Sequence, residues 1–205
     1  MINNLNQATG GIALVGNAGI GKTSAVYALA ERLLRGGELG SVKDHQIVAL
    51  NASVILSAGK DSLEKLMLML FGEAIQSGNM IVLLDEAQLF FQQGVGSFDL
   101  SQILLPVLQN RRLKIICAFN ATDFQRLKVS NPSLTAALTP VVLQEPQQAE
   151  TLKIVEDSAL GIENRTKTIV SYEGIREAYR LSGQYVQNMA YPGKAINLLE
   201  QATSY

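Results

Sequence analysis

The sequence predicts an α/β protein: a three-layer domain with a five-stranded parallel sheet, followed by a small α-helical domain. Short apolar runs alternate with longer segments that have apolar residues at helical spacing, a pattern typical of parallel sheets covered on both faces. The run MIVLLD is apolar almost throughout, as expected for a strand buried on both sides. No convincing strand follows Pro146, so we expect domains at 1–146 and 147–205.

The alternation predicts the individual elements. Strands are expected at 11–16, 46–51, 80–85, 113–119 and 140–146, the last bracketed by prolines. Helices are expected at 22–37, 62–78, 98–110, 147–160, 172–186 and 193–203. Gly36 and Gly37 are typical of a helix end, and Ser62 of a helix cap. Pro106 has to kink its helix or lie near a break.

Composition excludes several classes of partner and compartment. The chain has 205 residues and a net charge of −1, without the basic block expected of a nucleic-acid-binding protein. No apolar run approaches the roughly 20 residues of a membrane span, and the first residues lack a signal-peptide pattern. The single cysteine, Cys117, allows no intramolecular disulfide, so we expect a soluble cytoplasmic protein. Only 17% of residues are charged, which fits either a large core or an apolar surface covered by a neighbour.

The segment GNAGIGKT follows the first strand and opens the first helix, the context of a phosphate-binding loop (P-loop). Its glycines allow backbone N–H groups to converge on phosphate oxygens at the positive end of the helix. Lys22 is expected to reach the β- and γ-phosphates and the Thr23 hydroxyl to bind Mg²⁺. The alternative, a tight turn relieved by glycines, does not explain Lys22 and Thr23 in this register. The residues expected to contact the nucleotide here are Gly16, Asn17, Ala18, Gly19, Ile20, Gly21, Lys22, Thr23 and Ser24.

Two acidic residues, Asp85 and Glu86, end the third strand. In a parallel sheet this end lies beside the phosphate-binding loop. Asp85 is therefore a candidate to hold Mg²⁺ through water, and Glu86 to orient and polarise the attacking water. The alternative is a pair of solvated carboxylates at the end of a strand.

Asn120 follows the fourth strand. If this strand lies beside the strand that precedes the phosphate loop, the Asn120 amide is close enough to donate to the γ-phosphate or to the attacking water. By itself an asparagine here is more typical of a turn, but beside the phosphate loop and the acidic pair the functional role is favoured.

Together these motifs resemble the AAA+ ATPases, and within them the first ATPase module of Clp-type unfoldases and disaggregases. MIVLLDEAQLFF is similar to the family's Walker B strand, VVLQEP to its Val-x-Glu-Pro segment, and YPGKAINLLEQA to the Pro-Asp-Lys-Ala-Ile-Asp segment of its helical lid. The resemblance places Asn120 at the sensor-1 position. It also implies that Pro192, Gly193 and Lys194 approach the nucleotide from the lid, although Lys194 equally fits a lysine facing solvent.

The resemblance further implies what the chain works with. ATP and Mg²⁺ are the expected ligands, a polypeptide the expected substrate, and a hexameric ring the expected assembly of the parent protein. As a fragment the chain is equally compatible with a monomer. Because only 15 residues precede Gly16, the family's adenine-wrapping segment is expected in a longer parent chain.

Two departures from the family pattern limit the functional expectation. The region SVILSAGKDSLEKL lacks the aromatic residue of the family's pore loop. Lys60 could still point into a pore, although a solvated loop lysine is the favoured explanation. Ala136 and Ala137 occupy the positions of the family's two consecutive arginine fingers. Such an arginine is worth about 10³–10⁵ in rate. Arg126 and the Arg111–Arg112 pair are candidate replacements, although surface solvation explains them as well.

The sequence therefore predicts a Clp-like unfoldase or disaggregase module that binds ATP and hydrolyses it slowly. The alternative is a regulatory or scaffolding AAA+ module in which ATP holds an interface together and turnover is incidental. A DNA-linked AAA+ ATPase is disfavoured by the lid motif and the lack of basic patches.

Overall fold

A computed structural model of the chain describes residues 1–7, 10–36, 40–52, 60–91 and 99–204. The strands are β1 (Gly11–Val15), β2 (Gln46–Asn51), β3 (Met80–Asp85), β4 (Lys114–Phe119) and β5 (Leu138–Val142). The helices are α1 (Ile2–Gln7), α2 (Lys22–Arg35), α3 (Lys60–Ser77), α4 (Ser101–Gln109), α5 (Ala121–Ser130), α6 (Pro132–Ala136), α7 (Gln148–Thr166), α8 (Tyr172–Tyr185) and α9 (Gly193–Thr203). Short 3-10 helices span Gly40–Val42 and Ala87–Phe90.

The five strands form one parallel sheet in the order β2-β3-β4-β1-β5, which confirms the predicted fold class. β1 is buried along its whole length, and β4 is buried after its first residue. This burial explains why both strands are continuous apolar runs. The order brings the ends of β3, β4 and β1 side by side, so the residues that follow these strands meet at one edge.

The side chains of the central strands and the surrounding helices form the core of this part of the chain. Phe119 at the end of β4 packs against Phe91 and Phe124, with ring centroids 6.0 and 5.4 Å apart. Leu104 and Leu108 of α4 are fully buried in the same core. This packing fixes the ends of β3 and β4, where the candidate site residues begin.

Two predicted helix starts were wrong. α3 begins at Lys60, so Ser62 lies within its first turn instead of preceding it. α4 begins at Ser101 because the Asp99 carboxylate accepts a hydrogen bond from the Ser101 N–H, and Asp99 pairs with Phe91 in an isolated β-bridge. Pro106 lies inside α4, as the prediction allowed.

The fifth strand was predicted two residues too late and too long, because prolines were taken as its limits. β5 begins at Leu138, and Pro140 lies within it opposite Ala13 of β1. β5 is an edge strand that pairs only with β1 in the described sheet. A proline is tolerated at such an edge because the missing N–H is not needed by a second neighbour.

The chain divides into two compact units, one comprising Met1–Val15 and Lys22–Val142, the other Gly16–Gly21 and Leu143–Tyr205. In the second unit α7, α8 and α9 enclose a small apolar core that includes Val155, Ile162 and Ile175. α7 was predicted to end at residue 160, before Gly161, but it continues to Thr166. A glycine inside a helix costs only about 1 kcal/mol, and burial of Ile162 extends the apolar stripe past it. The domain boundary predicted after residue 146 stays a prediction.

Candidate functional site

The phosphate-binding loop connects β1 to α2. Gly16 is buried at its start, and the Ile20 N–H donates to the Asn17 carbonyl, 3.3 Å away, to close a turn. Gly19 and Gly21 have φ angles of 79° and 92°, which glycine adopts readily and other residues rarely do. The glycine pattern of the sequence therefore corresponds to backbone angles that the loop requires. The remaining predicted loop residue, Ala18, is exposed, as is Ser24 in the first turn of α2.

Lys22, the first residue of α2, points its ammonium group at Asn120. The Lys22 Nζ donates a hydrogen bond to the Asn120 Oδ1 at 3.1 Å. Asn120 precedes α5 directly after β4, and β4 is the neighbour of β1, as the prediction for Asn120 required. Burial lowers the pKa of Lys22, an effect that the negative charges of Asp85 and Glu86 partly oppose.

Thr23 contacts Asp85 across the same edge of the sheet. The Thr23 hydroxyl donates to Asp85 Oδ2 at 3.0 Å, and the other carboxylate oxygen accepts the Glu86 N–H at 3.0 Å. Asp85 is the last residue of β3. The structure thus brings Lys22 and Thr23 together with two predicted residues that are 98 and 62 positions away in the chain.

Glu86 directs the chain away from the sheet. Its backbone is left-handed, with φ 49° and ψ 45°, and its carbonyl accepts the Leu89 N–H of the following 3-10 helix at 2.9 Å. A left-handed conformation is uncommon for a residue with a side chain and is typical of functional sites. The Glu86 side chain is exposed beside Asp85, so its carboxylate is accessible to water.

Residues 189–193, which precede and open α9, contact the phosphate-binding loop through backbone atoms. The Ala190 N–H donates to the Ala18 carbonyl at 2.7 Å, and the Gly193 N–H to the Gly19 carbonyl at 2.9 Å. The resemblance predicted that Gly193 approaches the nucleotide, but neither backbone contact was predicted from the sequence. The one available signal was the absent side chain of Gly193 where the Clp-type pattern has aspartate.

The predicted lid residues lie in the same segment. Pro192 is buried and its carbonyl accepts the N–H groups of the first turn of α9. The Lys194 ammonium lies 3.8 Å from the centre of the Tyr191 ring, a cation–π contact. Tyr191 in turn stacks on Tyr179, and its N–H donates to the Glu145 carboxylate at 2.9 Å. Roles of Pro192 and Lys194 in nucleotide binding stay predictions.

The two positions predicted to correspond to the family's arginine fingers carry only methyl groups. Ala136 is exposed at the end of α6, and Ala137 packs partly buried against the core. Of the suggested replacements, Arg126 is exposed and pairs with Asp123 at 3.4 Å, while Arg111 and Arg112 are exposed before β4. The predicted pore-loop region falls mainly on residues 53–59, outside the described part of the chain, as does the side chain of Lys60.

Within the described ranges, no helix is long and apolar enough to cross a membrane. In the same part of the chain, no group of three or more histidine, cysteine or acidic side chains is arranged to hold a metal ion. The Mg²⁺ ligands predicted from the sequence, the Thr23 hydroxyl and the Asp85 carboxylate, lie within hydrogen-bond distance of each other, and such a pair suits a metal that is otherwise held by phosphate and water.

Comparison with known proteins agrees with these motifs. Residues 12–135 match the model of the ATPase family associated with various cellular activities (AAA). The chaperone protein ClpB of Aquifex aeolicus (strain VF5) is 28% identical over 195 residues, which cover 93% of this chain and 19% of the relative. The ATP-binding subunit ClpC of the ATP-dependent Clp protease from Staphylococcus aureus (strain USA300) is also 28% identical over 195 residues, covering 93% of this chain and 24% of the relative. The chain therefore spans about a fifth to a quarter of these curated relatives.

The fold is also that of a solved structure. A complex of Hsp104 from S. cerevisiae with casein, in its extended conformation, superposes with a TM-score of 0.84 and 19% sequence identity, covering 99% of this chain and 36% of that chain. The resemblance to Clp-type modules that the sequence motifs indicated is confirmed at modest identity. The chain belongs to the AAA family of ATPases, and its similarity within that family is to the Clp-type modules.

Proposed function

We propose that this chain is the ATP-binding and slowly ATP-hydrolysing module of a Clp-like protein unfoldase or disaggregase. The observation that carries the proposal is the convergence of Lys22 with Asn120 and of Thr23 with Asp85 at the end of the sheet. Residues from three separate strand ends meet directly after a glycine-rich loop. A glycine-rich turn with a purely structural role would not require these four side chains to converge.

The phosphate groups of ATP would lie against the loop and the N-terminus of α2, where backbone N–H groups and the Lys22 ammonium supply positive charge. The partly buried ammonium is well suited to this, because a phosphate relieves the cost of its burial. The side-chain contact with Asn120 holds the ammonium at the end of β4 in readiness for this role.

The residues present fit Mg²⁺. Neighbouring ligands in an octahedral shell with metal–oxygen distances of about 2.0–2.1 Å lie about 2.9 Å apart, and the Thr23 and Asp85 oxygens are 3.0 Å apart. When bound, the ion would neutralise charge that develops on the phosphates. The sequence-based expectation is that Asp85 holds it through water. Direct binding of the ion by Asp85 and binding through water use the same two side chains, those of Thr23 and Asp85.

Two side chains would act on the water that attacks the γ-phosphate. The Glu86 carboxylate, exposed next to Asp85, would accept a hydrogen bond from this water and polarise it. Because the Asn120 oxygen accepts from Lys22, its amide N–H groups are left to donate to the γ-phosphate or to the same water.

We propose that hydrolysis by this module alone is slow. The methyl groups of Ala136 and Ala137 supply no positive charge for a neighbouring nucleotide. An arginine in that place accelerates phosphoryl transfer by about 10³–10⁵-fold. The same observation favours the second candidate, a regulatory or scaffolding module that binds ATP with little turnover; retention of Glu86 argues against it.

The parent protein would assemble into a ring, a hexamer by analogy with the family, and act on a polypeptide in the cytoplasm. What supports the polypeptide substrate is the similarity to ClpB and to a structure of Hsp104 with casein. None of the contacts described above requires the ring, so the isolated chain is equally compatible with a monomer.

The test of nucleotide binding is the shift in melting temperature produced by Mg–ATP. We expect a clear upward shift for the wild type, since a ligand that binds only the folded state stabilises it, and no shift for Lys22→Ala. Lys43→Ala, which removes an exposed lysine after the short 3-10 helix, is the matched control and should retain the wild-type shift. An equal shift in Lys22→Ala would exclude this phosphate site.

A further inference from the structure

Two consecutive peptide groups of the phosphate-binding loop are held from outside the loop. The carbonyls of Ala18 and Gly19 accept hydrogen bonds from the N–H groups of Ala190 and Gly193, at 2.7 and 2.9 Å. Gly193 is the first residue of α9, and an N–H in that place has no partner within its own helix. The loop carbonyl therefore satisfies a donor that the helix leaves open.

These contacts determine where the loop's own N–H groups point. In a trans peptide the carbonyl and the N–H lie on opposite sides of one plane. Because the Ala18 carbonyl faces Ala190, the N–H of Gly19 in the same peptide faces away from the 189–193 segment. The next N–H, that of Ile20, likewise faces away and donates to the Asn17 carbonyl at 3.3 Å. The two bonds thus fix the orientation of the loop peptides.

The close approach depends on glycine at position 193. A Cβ atom built there would lie 2.5 Å from the Gly19 Cα and 2.6 Å from its carbonyl oxygen, both backbone atoms. Real Cβ atoms essentially never approach other atoms so closely. Any side chain at 193 must therefore push the 189–193 segment away from the loop, including the aspartate of the Clp-type pattern.

We propose that Gly193 is a positioning residue for phosphate binding. The Ala190 N–H holds the Ala18 carbonyl and so directs the Gly19 N–H towards the phosphates that bind the loop, and the Gly193 N–H holds the next peptide, Gly19–Ile20, in place beside it. This inference rests on the proposed function and deepens it, since backbone N–H groups of such loops cradle the α/β-phosphates. A nucleoside diphosphate is therefore the smallest ligand whose affinity reports the full effect of this positioning on phosphate binding. Coupling between two equilibria is reciprocal. A nucleotide that binds more tightly to the loop held by Ala190 and Gly193 therefore also stabilises these two hydrogen bonds.

The experiment compares Mg–ADP affinity in the wild type, Gly193→Ala and Gly161→Ala by calorimetric titration. We expect ADP binding about tenfold weaker in Gly193→Ala, the loss of one hydrogen bond to a charged group. Gly161 lies exposed in α7, and a Cβ added there would meet nothing within 4 Å, so Gly161→Ala should bind like the wild type. Equal affinity in Gly193→Ala would overturn the inference and leave the proposed function intact. No ADP binding by the wild type would overturn both.

Hydrogen exchange separates positioning from folding, should Gly193→Ala also loosen the helices around it. In the wild type, ADP should slow exchange of the Ala190 and Gly193 amides. The Gly174 amide, which donates to Ser171 Oγ at the start of α8, serves as an internal reference and should not change. If ADP binds and leaves the Ala190 and Gly193 amides unchanged or faster, the inference is wrong.

Discussion

At the scale of single residues, the most informative group is the Lys22 ammonium. It is half-buried beside Asn120, and burial lowers its pKa more than the charges of Asp85 and Glu86 raise it. A lysine with a lowered pKa binds fewer protons in the folded than in the unfolded chain. The charged side chain therefore costs stability at neutral pH. A phosphate ligand would offset that cost, which couples the site to nucleotide.

The free-energy cost of burying the charged Lys22 side chain should appear as a pH dependence of the stability of the chain. Between the folded-state pKa and the ordinary value of 10.5, the folded chain loses the Lys22 proton before the unfolded chain does. The free energy of unfolding of the nucleotide-free wild type, relative to Lys22→Met, should therefore rise with pH over this window. Urea unfolding from about pH 8 up to the ordinary lysine pKa measures it. A flat or falling difference would contradict the assignment.

The sequence was sufficient to predict the side chains at this edge of the sheet, because chain order and parallel topology bring the ends of neighbouring strands together. Thr23 with Asp85 and Lys22 with Asn120 follow from that rule. The contacts of Ala190 and Gly193 could not be predicted in the same way. They join backbone atoms, which no residue type signals, and only the missing side chain of Gly193 hinted at them.

At the scale of elements, helix ends depend on single side chains. The Ser171 Oγ accepts the Gly174 N–H at 3.1 Å and caps α8. The buried residues of α8, among them Ile175 and Ala178, pack in the small core with α7 and α9. Fraying of the first turn of α8 would therefore expose part of that core.

Removal of this cap should cost measurable stability. We expect Ser171→Ala to lower the free energy of unfolding by about 1 kcal/mol, the usual worth of such a cap. Chemical denaturation followed by circular dichroism measures the change. Ser133→Ala, at an exposed position inside α6, is the comparison and should change stability by no more than a few tenths of a kcal/mol. Equal effects of both variants would show that Ser171 does not act as a cap.

Elements with strong periodicity were predicted well, and their limits less well. β2 and β3 have the predicted bounds, because each is a short apolar run between polar residues. The starts of α3 and α4 were misplaced, and two further errors arose where a proline or glycine was taken to stop an element. Pro140 is accepted in β5 because it lies on an edge strand, and Gly161 in α7 because the residue after it is buried. Whether a strand or helix tolerates a proline or glycine depends on its spatial neighbours, which cannot be identified from the sequence alone.

At the scale of the whole molecule, the proposed function separates two contributions to ATP hydrolysis: residues of the chain itself and positive charge from a neighbouring subunit. Under the proposed function, the chain's own contribution comes from Lys22, Thr23, Asp85, Glu86 and Asn120. Positive charge from a neighbouring subunit is the contribution that the alanines at 136 and 137 lack. Position 136 is the one to test, because its exposure lets it carry a longer side chain, whereas the alanine at 137 packs against the core.

Ala136→Arg should therefore raise the rate of ATP hydrolysis at protein concentrations where the chain self-associates. Ser133→Arg adds the same charge at an exposed position of the same helix, three residues away, and should not. Phosphate release at matched concentrations measures both rates. If the two variants are equally fast, or both remain at the wild-type rate in an associated state, the missing arginine does not explain slow turnover.

The central claim is that this module holds and slowly cleaves ATP with its own residues, without help from a neighbour. The most direct measurement is phosphate release from Mg–ATP as a function of protein concentration, with Glu86→Gln alongside the wild type. We predict a low rate per chain that stays constant with concentration and is lost in Glu86→Gln. A rate per chain that rises steeply with concentration, or that survives Glu86→Gln, would contradict the claim.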